Sequence, residues 1–166
     1  MPADVARHFE EHRERVYRWA YALCGRREDA LDVVQEVFLR MLQNPPELPN
    51  VPAAIGWLRR VTSRVVIDRW RRPAAPAALT GDRPAPERAS ESAEARETAA
   101  QIQWAIRGLS EQQRQVLLAK MYDRLSFAQI ADELGISTST AKTHYLRALN
   151  MVRTRLKIDL SVEAQP

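Results

Sequence analysis

Apolar residues recur at helical spacing near the start of the chain, at Val5, Phe9, Val16, Trp19, Ala20 and Leu23. That spacing lines up side chains on one face of an α-helix, and Gly25 predicts where the helix ends. A second stripe, Ala30, Val34, Val37, Phe38 and Met41, predicts a helix over 28–42. Asp29, Asp32, Gln35, Glu36 and Arg40 lie mainly off that stripe, and Glu28 and Asp29 suit a helix N-terminus, where the dipole favours negative charge. Pro45, Pro46, Pro49 and Pro52 then break the chain into a loop. A third helix is expected over 53–72, with Ile55, Leu58, Val61 and Val65 inward and Trp70 as a further candidate for that face.

The pattern lapses over 73–97. Pro73, Pro76, Pro84 and Pro86 fall there, and the sole large apolar residue is Leu79. Such a segment cannot bury enough surface to offset its ordering entropy, so it predicts a flexible linker. Periodicity resumes with a helix over 98–107. Ser110 with Gln113, and Ser126 with Gln129, are capping-box pairs. The first opens a helix carrying Val116, Leu117, Ala119, Lys120 and Met121, and the second a helix over 127–134. Gly135 ends that helix, Ile136 plugs the core, and Ser137 or Thr138 caps a last helix reaching about 156. The fold class that follows is all-α: two small helical domains, 1–72 and 98–166, joined by a flexible linker over 73–97.

Composition agrees. Only 5 residues are Gly, 45% are hydrophobic and 28% charged, the balance of a folded water-soluble chain. The net charge of +4 is modest, but its distribution is informative. Residues 1–72 hold 13 Arg against 10 acids, 73–97 hold 3 Arg against 5 acids, and 98–166 hold 9 Lys and Arg against 6 acids. Two basic ends around an acidic middle fit two lobes that face nucleic acid. The lone cysteine, Cys24, precludes an internal disulfide and sits in an apolar run, as a small buried residue would. Residues 1–14 are polar, so no signal peptide is visible, and no apolar run of about 18 residues exists to enter a membrane. A cytoplasmic protein is expected.

Catalytic chemistry is missing from the pattern. His8 and His12 share a helix face near Glu11, but a metal site there needs more ligands. There is no Gly-rich phosphate loop and no nucleophile–base constellation. No catalysis, cofactor, metal or small-molecule substrate is expected.

The functional motif lies in 126–147. Ala131 is small enough for two helices to approach, Gly135 supplies a tight turn, and Ile130, Leu134, Ile136, Ala141, Tyr145 and Ala148 supply a shared core. This is the helix-turn-helix pattern. Its second helix presents Thr138, Ser139, Lys142, Thr143 and Arg147, hydroxyls and cations of the kind that contact phosphates and base edges in the major groove. The plain alternative is a helical hairpin with a solvated outer face. In the N-terminal lobe, Arg59, Arg60, Arg64, Arg69, Arg71 and Arg72 make a dense cationic stripe, which attracts phosphate whatever the base sequence. Trp57 and Trp70 stand beside it, either as core residues or as stacking platforms.

Asp29-Ala30-Leu31-Asp32-Val33-Val34-Gln35-Glu36-Val37-Phe38-Leu39-Arg40, then Trp57-Leu58-Arg59-Arg60-Val61 and Ile67-Asp68-Arg69-Trp70-Arg71-Arg72, then the helix-turn-helix, follow one another in order. With that order the chain resembles the extracytoplasmic-function (group 4) sigma factors along 9–72 and 98–157. The resemblance implies binding to core RNA polymerase, selection of promoter DNA and control by an anti-sigma factor. It implies that Asp32, Gln35, Glu36, Leu39 and Arg40 dock on the polymerase. It places Asn50, Trp57, Arg59, Arg60, Arg64, Arg69, Trp70, Arg71 and Arg72 at the −10 element, with Asn50 in a loop that holds a flipped base. It places Thr138, Ser139, Thr140, Lys142, Thr143, His144 and Arg147 at the −35 element; His144 has a surface role as its alternative. Asp68 either orients the neighbouring arginines or forms a local ion pair. The sequence departs from the family at Arg64, usually Asn, which adds a charge and removes an amide, and at Ala141, often Val, a packing change. Two other readings stay open: a stand-alone helix-turn-helix repressor or activator that dimerises on a palindrome, and a sigma-like decoy for an anti-sigma protein.

Overall fold

The computed structural model describes residues 2–72 and 92–156. Most of the linker expected over 73–97 lies outside them. The described residues form seven α-helices and no strand.

α1 (Pro2–Cys24) buries Val5, Val16, Trp19, Ala20 and Leu23. It stops because Gly25 adopts φ 68, the left-handed region where a Cβ is costly, and its N–H closes on the Tyr21 carbonyl at 2.7 Å. α2 (Arg27–Gln43) carries Glu28 and Asp29 in its first turn and Arg40 in its last, both favourable to the helix dipole. Its inner face is Ala30, Val33, Val34, Val37, Phe38 and Met41. α3 (Val51–Arg71) starts two residues earlier than the apolar spacing suggested. Asn50 caps it, accepting from the Ala53 N–H at 2.9 Å, and Pro52 occupies the first turn, where no backbone donor is missed. α1, α2 and α3 pack around one core, in which Phe9 meets Phe38 edge to face at 5.0 Å.

α4 (Ala93–Arg107) begins five residues before the expected start at 98, because the Ser92 side chain caps it through the Ala95 N–H. The linker expectation therefore overlaps the first turn of α4. α5 (Glu111–Met121) and α6 (Phe127–Leu134) both open with the expected reciprocal capping boxes. Gly135 sits at φ 66, and the Ile136 N–H returns to the Ala131 carbonyl at 3.0 Å. α7 (Thr138–Leu156) then crosses α6, with Val116, Ala119, Ile130, Ala131 and Ala141 buried between them and α5.

The two lobes are not separate. Ile106 of α4 and Leu118 of α5 join the core of the N-terminal lobe, and α3 packs on α5 and α6.

Candidate nucleic-acid interface

The turn at Gly135 sets α7 on the outside of its lobe. Ser137 caps it: its Oγ accepts from the Thr140 N–H at 3.1 Å and lies 2.7 Å from the Thr140 hydroxyl. Thr140 is thus engaged locally. Thr138, Ser139, Lys142, Thr143 and Arg147 are exposed along one side, and His144 is half-buried. The Thr143 hydroxyl donates to the Ser139 carbonyl at 3.0 Å, which leaves an oxygen lone pair outward. The result is a convex, cationic and hydroxyl-bearing helix face, shaped for a groove rather than for a pocket.

The stripe on α3 is less uniform than the sequence suggested. Arg64, Arg69, Arg71 and Arg72 are exposed and Arg60 is half-buried beside Trp57. Arg69 approaches Asp32 at 3.6 Å and Arg64 approaches Glu111 of α5 at 3.4 Å. Arg59 is fully buried, which corrects its place on an open stripe. Arg59 and Arg60 are neighbours in sequence and point about 100° apart around the helix, so one turns inward and the other outward, and charge alone does not reveal which one is covered. Asn50 spends its carbonyl oxygen on the α3 cap and keeps its amide N–H groups for other partners. Trp57 and Trp70 both pack partly against the core, and the Arg107 guanidinium covers Trp70 at 4.7 Å. Asp68 pairs with Arg40 of α2 at 3.4 Å, not with the stripe.

On α2, Asp32, Gln35 and Leu39 are exposed, while Arg40 and Glu36 are half-buried and paired at 3.0 Å. Leu31 and Leu42 are also exposed, at 46% and 50% beside 49% for Leu39. The sequence reading missed these two. Their signal is a second stripe, 31, 35, 39 and 42, on the face opposite the core.

Arg59 has an elaborate seat. Its Nε donates to Gln115 Oε1 at 3.2 Å, Nη1 to Asp123 Oδ2 at 2.8 Å and Nη2 to Glu133 Oε1 at 2.6 Å, with the Trp19 ring 5.9 Å from the guanidinium carbon. Burial pushes the Asp123 carboxyl above its ordinary value, although Arg59 pulls the other way. Nearby, Arg114 Nε donates to Ser63 Oγ at 3.2 Å and Nη1 to the Leu109 carbonyl, and burial lowers its pKa.

His8, Glu11 and His12 hold three possible ligand atoms within 4.8 Å of one another on α1. Their number is below the four that a closed structural zinc site uses.

Residues 8–75 match the family model for sigma-70 region 2, and residues 99–152 match sigma-70, region 4. The chain is 33% identical over 158 residues to the ECF RNA polymerase sigma factor SigL of Mycobacterium tuberculosis, spanning 90% of this chain and 89% of the relative. It is 27% identical over 152 residues to RNA polymerase sigma factor SigV of Bacillus subtilis, spanning 91% and 90%. In fold it is similar to the sigma factor RpoE of Bartonella quintana, solved in complex with the anti-sigma factor NepR, at TM-score 0.54 and 18% identity, over 94% of this chain and 98% of that one.

Proposed function

The chain belongs to the sigma-70 family, in its extracytoplasmic-function group of RNA polymerase sigma factors, and on that premise we propose which of its surfaces makes each contact. A sigma factor directs core RNA polymerase to promoters. The face of α2 formed by Asp32, Gln35, Glu36, Leu39 and Arg40, widened by Leu31 and Leu42, is the polymerase-docking surface. This reading rests on one observation above the others: three leucines about half exposed in a row on one helix. Charged and amide groups flank them, as at the rim of a protein interface.

Arg60, Arg64, Arg69, Arg71 and Arg72 hold the backbone of the −10 strand. Trp57 and Trp70 offer ring faces at its edge, and the Asn50 amide offers a donor at the start of α3. Arg59 reaches DNA only where its present partners release it. On α7, Lys142 and Arg147 hold phosphates of the −35 duplex. Ser139 and Thr143 reach base edges, Thr138 and Thr140 support them at the helix start, and His144 lies at the margin. The domains divide as 1–72 for polymerase and −10 contact and 98–166 for −35 contact. The intervening segment sets how far apart the two DNA elements stand. Nucleotide chemistry stays with the polymerase, so the chain acts in the cytoplasm as a selector without a catalytic step, metal or cofactor. An anti-sigma protein is its natural regulator, as the Bartonella relative's complex suggests.

The test is to mix the purified chain with sigma-free core polymerase. Co-elution and initiation at selected genomic promoters are expected, and Leu39→Ala with Gln35→Ala should weaken the complex. Failure to co-elute, together with tight binding to a palindromic duplex, would replace this reading with that of a stand-alone regulator.

A further inference from the structure

Three side chains of α1 stand apart from every surface assigned above. His8, Glu11 and His12 occupy positions i, i+3 and i+4, which a helix places on one face. Each offers a donor atom, and the three donors lie within 4.8 Å of one another. Glu11 Oε2 is 3.8 Å from His12 Nε2, and the two imidazole rings stack with centroids 5.7 Å apart.

The ring nitrogens are the feature that needs a cause. His8 Nδ1 and His12 Nε2 are buried from solvent and have no hydrogen-bond partner among the described residues. Buried polar atoms are nearly always satisfied, and a bound ion is one way of satisfying them. The arginines near Glu11 turn to other acids: Arg7 to Asp4 at 3.6 Å, Arg13 to Glu10 at 4.0 Å and Arg15 to Asp123 at 3.8 Å. The Glu11 carboxylate therefore remains available on the same face as the two rings.

Two imidazoles one helical turn apart, with a carboxylate beside them, are a donor set for a divalent transition ion. Imidazole nitrogen suits zinc, copper and nickel, whereas calcium and magnesium take oxygen donors. Histidines at i and i+4 of one helix are a spacing that binds zinc. Zinc bonds of about 2.0–2.1 Å set the donors on one tetrahedral ion roughly 3.3 Å apart. Side-chain rotation reaches that spacing, since Glu11 is exposed and His8 is half-buried. Three protein donors leave the fourth position to water, so the site is open and exchangeable, unlike the closed four-ligand kind.

We propose that His8, Glu11 and His12 form a reversible site for one divalent transition ion of the zinc type, with water as the fourth ligand. Promoter selection calls on no metal. The ion instead clips one turn of α1, whose Phe9 packs on Phe38 of α2. Binding only to the folded helix, it stabilises the N-terminal lobe.

The experiment uses the full chain, free of any histidine tag and stripped with a chelator. Its third and last histidine is His144 of α7, which serves as the control. Cobalt(II) alone is titrated in, its visible d–d absorption is followed, and zinc is then added. One equivalent of cobalt should bind, zinc should displace it, and a large excess of magnesium should not. Zinc at about 100 times its dissociation constant should raise the unfolding midpoint by roughly 5–10 °C. His8→Ala and Glu11→Gln are the informative variants because neither side chain is fully buried, and circular dichroism checks that each stays helical. His8→Ala should weaken cobalt binding by more than about tenfold, since even a group behind a ligand is worth that much. It should also abolish the effect of zinc on the midpoint. Glu11→Gln should weaken binding by less, and His144→Ala should leave it unchanged. A chain that takes up no cobalt at submillimolar concentration would overturn the site. So would uptake that His8→Ala leaves intact or that His144→Ala removes, and undiminished binding by Glu11→Gln would overturn the three-donor set.

Discussion

Arg59 Nη1 donates to Asp123 Oδ2 at 2.8 Å across 64 residues of sequence, with the Arg59 side chain fully buried and that of Asp123 5% exposed. A pair in this position is decided by desolvation as much as by attraction. Left intact, it roughly breaks even against an apolar contact; with one partner removed, the other is stranded in a low-dielectric site. Arg59→Ala, which leaves the buried Asp123 carboxylate without its close cation, should therefore cost the folded chain about 3 kcal/mol or more. Asp29→Ala, which breaks the open Arg26–Asp29 pair on the surface, should cost less than about 1 kcal/mol. Urea unfolding of the two variants compares them directly, and equal losses would mean the buried pair has no special standing.

His12 lies on the inner side of α1, 7% exposed. Burial holds its imidazole below the ordinary 6.5; His8 acts in the same direction, Glu11 opposes and Arg15 adds a smaller push downward. A folded-state pKa below the unfolded one favours the neutral ring. The contribution to stability is therefore complete above pH 6.5 and is lost as pH falls from there through the folded value. The unfolding midpoint should be flat near neutrality and drop on acidification, and His12→Gln should reduce that drop. A slope that His12→Gln leaves unchanged would place the titration elsewhere.

Cys24 is buried at the end of α1, and burial pushes its thiol up to about 12. The thiolate is the reactive form, so the native chain should resist a thiol-specific chromogen and react fully in urea. Rapid labelling of the native chain would show that α1 frays at its C-terminal end.

Gly135 stands at φ 66 with nothing within 4 Å of where a Cβ would lie. Space is available there, and only backbone conformation objects. Gly135→Ala should destabilise the C-terminal lobe by roughly 1–2 kcal/mol, the cost of the left-handed region for an L-residue. Gly135→Asn should cost less, because Asn tolerates that region. Thermal unfolding followed by circular dichroism separates the two, and an Ala variant as stable as the parent would contradict the turn geometry.

Lys142 is exposed near the middle of the polar face of α7. If it meets a phosphate, Lys142→Ala should weaken binding to −35 duplexes almost equally across sequences and lower the salt slope by about 1. Ser139→Ala should instead change which duplexes are preferred. A Lys142→Ala variant with an unaltered salt slope would remove it from the phosphate contacts.

Most of the local architecture is legible without coordinates. The stripe Ala30, Val34, Val37, Phe38 and Met41, the capping pairs Ser110–Gln113 and Ser126–Gln129, and the glycines at 25 and 135 all reappear in the helices, boxes and turns of the structure. Each is a short-range matter: helical periodicity and end-capping are settled within a few residues. The order of motifs likewise pointed to the family that the matched regions show. The early start of α4 at Ala93 escaped because Ser92 caps a first turn without large apolar residues, so periodicity has nothing to register there. The exposed Leu31 and Leu42 escaped because the stronger stripe on the same helix was read as its only one.

What the tertiary structure alone decided is the fate of Arg59. In sequence it is one arginine among six, and nothing separates it from Arg60. Its burial depends on Gln115, Asp123 and Glu133 arriving from 56, 64 and 74 residues away, and on the missing side chain at Gly56, where a Cβ would collide with the Glu133 carboxylate. Helices follow from neighbours along the chain, whereas the choice of which charge is desolvated and which faces DNA follows from how the lobes pack.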